Sequence, residues 1–348
     1  METMLDKLTK EMKGKALKLT RDEARFVVDN YYVIQDYRTA TSHQLHAVER
    51  KVDDQPIEFL KWICLSMQSM EGQLRRALKT YAATKIEGKW AMSITGIGPV
   101  IASGLLAHID INLCPTVGHI WNFAGLNPDV RWLGSAAAAI MTKAGFNPEG
   151  KNSTKALDVK DAEKLITHLA SLIGIPPERL LKQALQYDQN KEGTKEAKKL
   201  KLTAKNIYRA ASRRPWNAQL KTLCWKIGES FNKTKNKESD IYGKILQARR
   251  DKEDKMNNAG AFKEIALAKA KKVGKTTDAY ASYSIGKLPL GHLHARSKRY
   301  AVKIFLSHYH HAAYLANKGE APPKPFAIEH LGHAHMIEVP NLGIIGKV

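Results

Sequence analysis

Apolar positions recur at helical period along most of the chain. In LTRDEARFVVDNYYVIQDYRTATSHQLHAVERKVDD (19–54), Phe26, Val27, Tyr31, Ile34, Tyr37, Leu45 and Val48 fall close to that period. Thr20 followed three residues on by Glu23 supplies a capping box at the start. Pro56 fits the first turn of a second long helix, PIEFLKWICLSMQSMEGQLRRALKTYAA (56–83). The two predict an antiparallel helical arm over residues 1–85. Its heptads are imperfect, so a bundle packed on the rest of the chain and a homo-oligomer arm stand level as readings. Further on, LDVKDAEKLITHLASLIGIPPERLLKQALQY (157–187) predicts two helices joined at Gly174-Ile175-Pro176. The segment before it, GSAAAAIMTKAGFNPEGKNSTKA (134–156), reads as a flexible connector, and a basic stretch follows it. Two helices with a short turn also suit a DNA-reading helix-turn-helix, but plain bundles use the same spacing. Residues 215–255, 258–273 and 292–318 predict further helices, and PPKPFAIEHLGHAHMIEVPNLGII (322–345) alternates enough for one short hairpin.

These patterns predict a mostly α-helical fold. A helical arm (1–85) leads into a core built on a tight helical turn (86–134). An inserted helical subdomain follows (135–214), then a basic helical continuation of the core with a histidine-rich tail (215–348).

The tight turn lies in SITGIGPVIASGLLAHI (93–109), where two glycines sit two residues apart between apolar runs. Ile94, Gly96, Ile97, Gly98 and Ala102 match the helix-hairpin-helix pattern of apolar-Gly-apolar-Gly-x-x-x-Ala. Glycine permits positive φ and lets a phosphate approach the backbone. Pro99 opens the second helix, whose free N–H groups and positive dipole end face the turn. Gly96, Ile97, Gly98 and Pro99 are therefore candidate backbone-gripping residues, of the kind that position nucleic acid without reading bases.

Charge gives this turn a partner. The 348 residues carry a formal net charge of +22, and residues 191–303 alone hold 29 Lys plus Arg against 10 Asp plus Glu. Such an unbalanced stretch favours a polyanion, with nucleic acid first. An anionic membrane surface fits less well, because no amphipathic segment combines lysine with exposed Trp or Phe. No apolar run is long enough to span a bilayer, and METMLDKLTKEMKGKALKLT lacks an apolar signal core. A cytoplasmic protein is expected. Cys64, Cys114 and Cys224 form no CxxC pair and read as small hydrophobes in a reducing compartment.

Beyond the turn, FAGLNP (123–128) follows after a short linker. Together with ITGIGPVIASGLLAHI it resembles the C-terminal domain of the bridge-RNA-guided insertion-sequence transposases, relatives of the Piv-type DNA invertases. In RPWNAQLKTLCWKIGESF, Asn217 and Leu220 fit that family's Gly-Asn-x-x-Leu-Arg segment, and DIYGKILQARRDK and RYAVKIFLSHYHHAAYL resemble its closing helices. The resemblance implies a DNA partner, with a structured RNA as a second one, and a role in recombination or transposition. It also implies two catalytic elements. The first is an N-terminal RuvC-like nuclease domain with acidic residues, a fold that the helical residues 1–85 do not fit. The second is a serine just before a glycine, shortly after the Gly-Leu-x-Pro segment. Here that place reads Leu133-Gly134-Ser135, so the serine follows the glycine. Ser135 is the candidate nucleophile, displaced from the family position, and residues 135–214 interrupt the pattern at that point.

Further nucleic-acid candidates are Arg213, Arg214, Asn217 and Lys221 around RRPWNAQLK, and Arg296, Lys298 and Arg299 in HARSKR. Tyr208, Trp216, Trp225, Tyr242, Tyr300 and Tyr309 interleave with basic residues and suit base stacking. Helical spacing favours core placement, most of all for Trp225 and Tyr300. The last sixty residues hold HLH, HYHH and HLGHAH, so His308, His311, His333 and His335 are weak candidates for a divalent metal. No Cys or Asp completes a familiar ligand spacing, and no cofactor is implied outright. Three functions follow: a transposase-like DNA-binding protein, a non-catalytic binding module derived from one, or a metal-dependent nuclease using the C-terminal histidines.

Overall fold

The computed structural model describes residues 8–50, 57–189, 202–323 and 337–346. Among them there are fifteen α-helices and no strand, the only extended pairing being an isolated bridge between Ala156 and Thr203. The fold is all-α, as the apolar periodicity predicts. Two compact units form, one from residues 1–120 with 222–348, the other from residues 121–221.

The first unit begins with α1 (Lys10–Leu17), α2 (Arg21–Glu49) and α3 (Ile57–Ala83). The capping box forms at Thr20 and Glu23. Tyr31 Oη and Arg38 Nε both donate to Glu71, at 2.9 and 2.6 Å, while Val28 shares a buried cluster with Leu78. As partners rise along α2 they fall along α3, so the pair is antiparallel. After α4 (Ile86–Met92), α5 (Pro99–His108) packs on both long helices. Val100 joins the Val28–Leu78 cluster, Ser103 Oγ donates to Leu78 O at 2.9 Å and Arg25 Nε donates to Ala107 O at 2.8 Å. The base of the arm is thus fixed to the core, while Phe26, Tyr37 and Phe59 stay exposed.

The chain runs through α6 (Val117–Phe123) into the second unit, whose helices are α7 (Ala136–Lys143), α8 (Val159–Ile173), α9 (Pro177–Gln189) and α10 (Ala204–Ser212). Helix α8 ends at Gly174 in the left-handed conformation, so the joint expected at Gly174-Ile175-Pro176 is present. The stretch expected to be a flexible connector contains α7 instead. Ala137 and Met141 lie fully buried among Leu165, Leu169 and Ile207, and this packing outweighs the run of small residues that suggested flexibility.

The first unit resumes along α11 (Ala218–Thr234) and continues through α12 (Ile241–Asn258), α13 (Lys263–Ala270), α14 (Asp278–Ser284) and α15 (Leu290–Lys318). Its centre is aromatic. Phe231, Tyr242 and Phe305 meet at centroid distances of 4.9 to 5.6 Å, and Trp90 of α4 stacks on Phe305 at 6.0 Å. Trp90 Nε1 donates to Pro340 O at 2.7 Å, which ties the C-terminal segment to α4. The expected tail hairpin falls largely outside the described residues.

Trp225 is not core but 60% exposed. The buried stripe of α11 runs through Leu220, Leu223, Cys224, Ile227 and Phe231, and Trp225 projects from the other side of the helix. Tyr300 is half-buried beneath the Arg249 guanidinium. Cys114 and Cys224 are buried, which pushes their thiols up to about 11 and about 12, and Cys64 is half-buried.

Candidate nucleic-acid interface

The two glycines of the tight turn have different roles. Gly96 has φ +90°, a region that side chains disfavour, and it packs against the end of α11. A Cβ there would lie 3.1 Å from Thr234 Oγ1 and 3.3 Å from Phe231, and Ser230 Oγ donates to Gly96 O at 2.5 Å. Ile94 and Ile97 are buried beside it. Gly98 has φ −88°, which any residue adopts, it is exposed, and nothing lies within 4 Å of where its Cβ would be. The fold therefore requires glycine at 96 and not at 98. Gly98 is the N-cap of α5 and Pro99 its first residue, and no side chain caps the helix. The N–H groups of Val100 and Ile101 have no intrahelical acceptor, since the ladder begins with Ala102 N donating to Gly98 O at 3.0 Å.

Basic residues that the sequence did not connect to this turn lie next to it. Thr95 Oγ1 and Ser239 Oγ are 3.0 Å apart, and Gly96 touches Thr234. The segment between Thr234 and Ser239 carries Lys235 and Lys237, and Lys233 stands in the last turn of α11. The signal for these lysines was the run KTKNK, but its proximity to the turn arises only from the packing of α11. The segment also holds Glu238, whose backbone carbonyl accepts from Lys244.

Of three other candidates in the first unit, two are held by neighbours and one is open. Glu253, 1% exposed at its side chain, accepts from Arg296 Nε at 2.7 Å and from Arg249 Nη2 at 2.5 Å. Burial pushes its carboxyl upward, but the two guanidiniums outweigh this and hold it below the ordinary range. Arg296 also lies over the Phe262 ring, 4.7 Å from its centroid. Lys298 is paired with Glu229. Arg299 is exposed and makes no ion pair among the described residues, and burial of its stem and the neighbouring Arg296 lower its pKa.

The second unit collects the remaining candidates. Gly125 of FAGLNP lies against the Trp216 ring, and Asn217 N donates to Phe123 O at 2.8 Å, so two segments of the family resemblance meet in space. Asn217 Oδ1 is engaged by Leu220 N at 2.8 Å and caps the start of α11, while Lys221 Nζ stands 3.8 Å over Trp216. Arg213 and Arg214 are exposed and have no carboxylate partner among the described residues. The Arg214 guanidinium lies 4.6 Å from the centroid of the half-exposed Trp132 ring, whose Nε1 donates to Ser212 O at 2.8 Å. Gly134 also touches that ring. Ser135, directly after it, is the exposed residue before α7 and its hydroxyl has no hydrogen-bond partner among the described residues. Gly134 and Arg214, far apart in sequence, thus both lie against Trp132, and no base is positioned on the serine that follows Gly134.

The histidines of α15 serve the core. His308 Nε2 donates to Ile337 O at 3.0 Å, so its Nδ1 accepts from Tyr242 Oη at 2.8 Å. Burial pushes it down to about 4, and both ring nitrogens are taken. His310 Nε2 donates to Cys114 O at 2.8 Å. His311 is half-buried, and burial lowers its pKa. His333 and His335 lie outside the described residues. Among the described residues no three His, Cys, Asp or Glu side chains are grouped to hold a metal. No helix among them is long and apolar enough to cross a membrane.

Residues 88–147 match the model of the Transposase IS116/IS110/IS902 family, a stretch that contains the turn, FAGLNP, Ser135 and α7. No curated protein and no solved structure matches the chain.

Proposed function

We infer from the family match a transposase-related chain that serves a recombination machinery. We propose that this chain is its nucleic-acid-binding component: it grips the phosphate backbone at the turn before α5 and breaks no strand itself. DNA is the first partner and a structured RNA the second. Gly98 carries this reading. Nothing in the fold calls for glycine there, yet the position borders the uncapped N–H groups of α5 and the Lys233–Lys237 segment. A bare backbone beside a positive helix end and lysines suits a phosphate oxygen. Self-association through the N-terminal arm belongs to the same reading, since Phe26, Val33, Tyr37 and Phe59 are all at least half exposed along its two long helices.

A salt titration of affinity on duplex DNA, duplex RNA and single strands tests the electrostatic part. A steep fall of log affinity with log salt is expected, about 0.9 per phosphate neutralised on duplex DNA. Flat slopes on all three remove nucleic acid as the partner. Gly98→Val tests the site, since the backbone there tolerates a side chain. Its affinity should fall roughly fivefold, the worth of about 1 kcal/mol at a helix N-terminus, with helical circular dichroism unchanged.

A further inference from the structure

Trp225 is an exposed aromatic residue that neither the core nor the backbone grip accounts for. An indole 60% exposed on a regular helix leaves a large apolar face in water. One neighbour is positioned on it: Lys298 Nζ lies 5.7 Å from the ring centroid, held by its pair with Glu229. Lys298 reaches it because α15 approaches α11 closely at Gly228, where a Cβ would stand 3.3 Å from Lys298 Cβ. The lysine is one turn of α15 from His294, whose Nδ1 accepts from Arg250 Nη1 at 3.2 Å. Burial lowers the pKa of His294, and Lys298, Arg250 and Lys235 lower it further. Arg250 of α12 thus contacts this histidine of α15, and Lys235, after α11, packs its backbone against Gly243 near the start of α12. The acids facing these cations are Glu229, paired with Lys298, and Asp254, 3.9 Å from Arg250. Lys235 belongs to the segment that borders the Gly96–Gly98 turn. The basic strip therefore runs from the backbone grip, through Lys235, Arg250 and His294, to an indole at its far end.

We propose that Trp225 is a stacking platform for an unpaired nucleotide, with Arg250 and Lys235 taking the adjoining phosphates. The inference rests on the nucleic-acid reading above and adds a substrate class to it: a single-stranded segment continuous with, or melted from, a bound duplex. Every base has a π-face, so the platform is indifferent to sequence. Lys298 holds the ring from one side and strengthens the stack through its cation. A duplex offers no exposed base face to Trp225, which separates this contact from the grip at Gly98.

The test uses a fluorescein-labelled oligothymidylate and a labelled duplex of the same length, with anisotropy titrations of the parent, Trp225→Ala and Trp225→Phe. Loss of one base–aromatic stack should weaken single-strand binding roughly five- to a hundredfold in Trp225→Ala, leave the duplex within about twofold, and be largely rescued in Trp225→Phe. Unchanged single-strand affinity in Trp225→Ala, with the parent binding well, overturns the platform and leaves the backbone grip intact. Equal losses on both probes overturn it as well. A parent that binds neither probe overturns the nucleic-acid reading itself. Sedimentation of the same variants covers the remaining role of an exposed indole: loss of self-association with unchanged affinities assigns Trp225 to a protein contact and overturns the proposal.

Discussion

Arg296 and Arg214 belong to the same basic stretch, and each lies over an aromatic ring at nearly the same distance, 4.7 Å over Phe262 and 4.6 Å over Trp132. What surrounds them differs. Arg296 shares the buried Glu253 carboxylate with Arg249, so it is tied to a counter-charge within the fold. Arg214 has no carboxylate partner among the described residues, and Arg213 beside it is equally open. Stacking fixes a guanidinium in both places. The acid decides whether that guanidinium cements helices or faces an incoming anion. Net charge alone therefore overstates the surface available to a polyanion.

The strongest way to break this contrast is Glu253→Gln. Removing the carboxylate leaves two part-buried guanidiniums without a counter-charge, which costs about 3 kcal/mol of stability. A lowered melting temperature with binding preserved, measured below the transition, is the expected outcome. The pH dependence carries the same signature. The folded pKa of Glu253 lies below its ordinary value, so the pair stabilises fully above about pH 4.3 and its contribution is lost as pH falls towards the lower folded value. His308, depressed to about 4, acts in a higher window: stability present above about pH 6.5 declines as pH falls to about 4. Thermal melts from pH 7.5 to 3 should show both windows in the parent. Glu253→Gln should keep the upper one and make the lower shallower, the remainder belonging to Glu71, Asp110 and Glu23, whose carboxyls are also held below the ordinary range. An unchanged lower limb would show that the triad is not the group titrating there.

Arg213→Ala/Arg214→Ala sharpens the other side of the comparison. Two open guanidiniums that each neutralise a phosphate should contribute about 2 kcal/mol between them, roughly a thirtyfold loss of affinity. The salt slope on duplex DNA should fall by about two, while the melting temperature stays put. Preserved affinity with an unaltered slope would mean that this exposed pair meets no phosphate.

How much of this could be read from the sequence depends on the range of the interaction. The capping box at Thr20, the joint at Gly174 and the turn at Gly96 are local, and each was legible because the residues that define it are neighbours in the chain. The different roles of Gly96 and Gly98 were not legible. They depend on Thr234 and Phe231 lying against one glycine and not the other. Trp225 read as core because its spacing alone does not say which stripe of α11 is buried. The partnering of Arg296 by Glu253 was hidden in the same way, since it joins two helices across a span of 43 residues. The α7 helix was missed for a physical reason of another kind: four consecutive alanines carry strong helix propensity, but Gly and Asn on either side masked the short element.

The smallest expected effect concerns Ser135, which directly follows Gly134, the glycine lying against the exposed Trp132 ring on which Arg214 stacks. If that surface only binds, Ser135→Ala should leave affinity within about twofold, because the hydroxyl makes no hydrogen bond that its loss would break. Strand chemistry would leave a different trace. Attack by the serine Oγ on a phosphodiester joins phosphorus to the oxygen and releases a hydroxyl-ended strand, so a labelled DNA becomes covalently attached to protein. Water activated by a metal leaves no such adduct and stops with chelator. Incubation of labelled duplex with the parent and with Ser135→Ala, each with and without chelator, should give neither product. The serine is reachable but lacks a base to take its proton, and His308 has both ring nitrogens committed to Tyr242 and Ile337. A chelator-insensitive adduct in the parent that disappears in Ser135→Ala would overturn the binding-only reading and make the Trp132–Arg214 stack part of a catalytic surface. An adduct that persists in Ser135→Ala would keep the chemistry and place its nucleophile elsewhere.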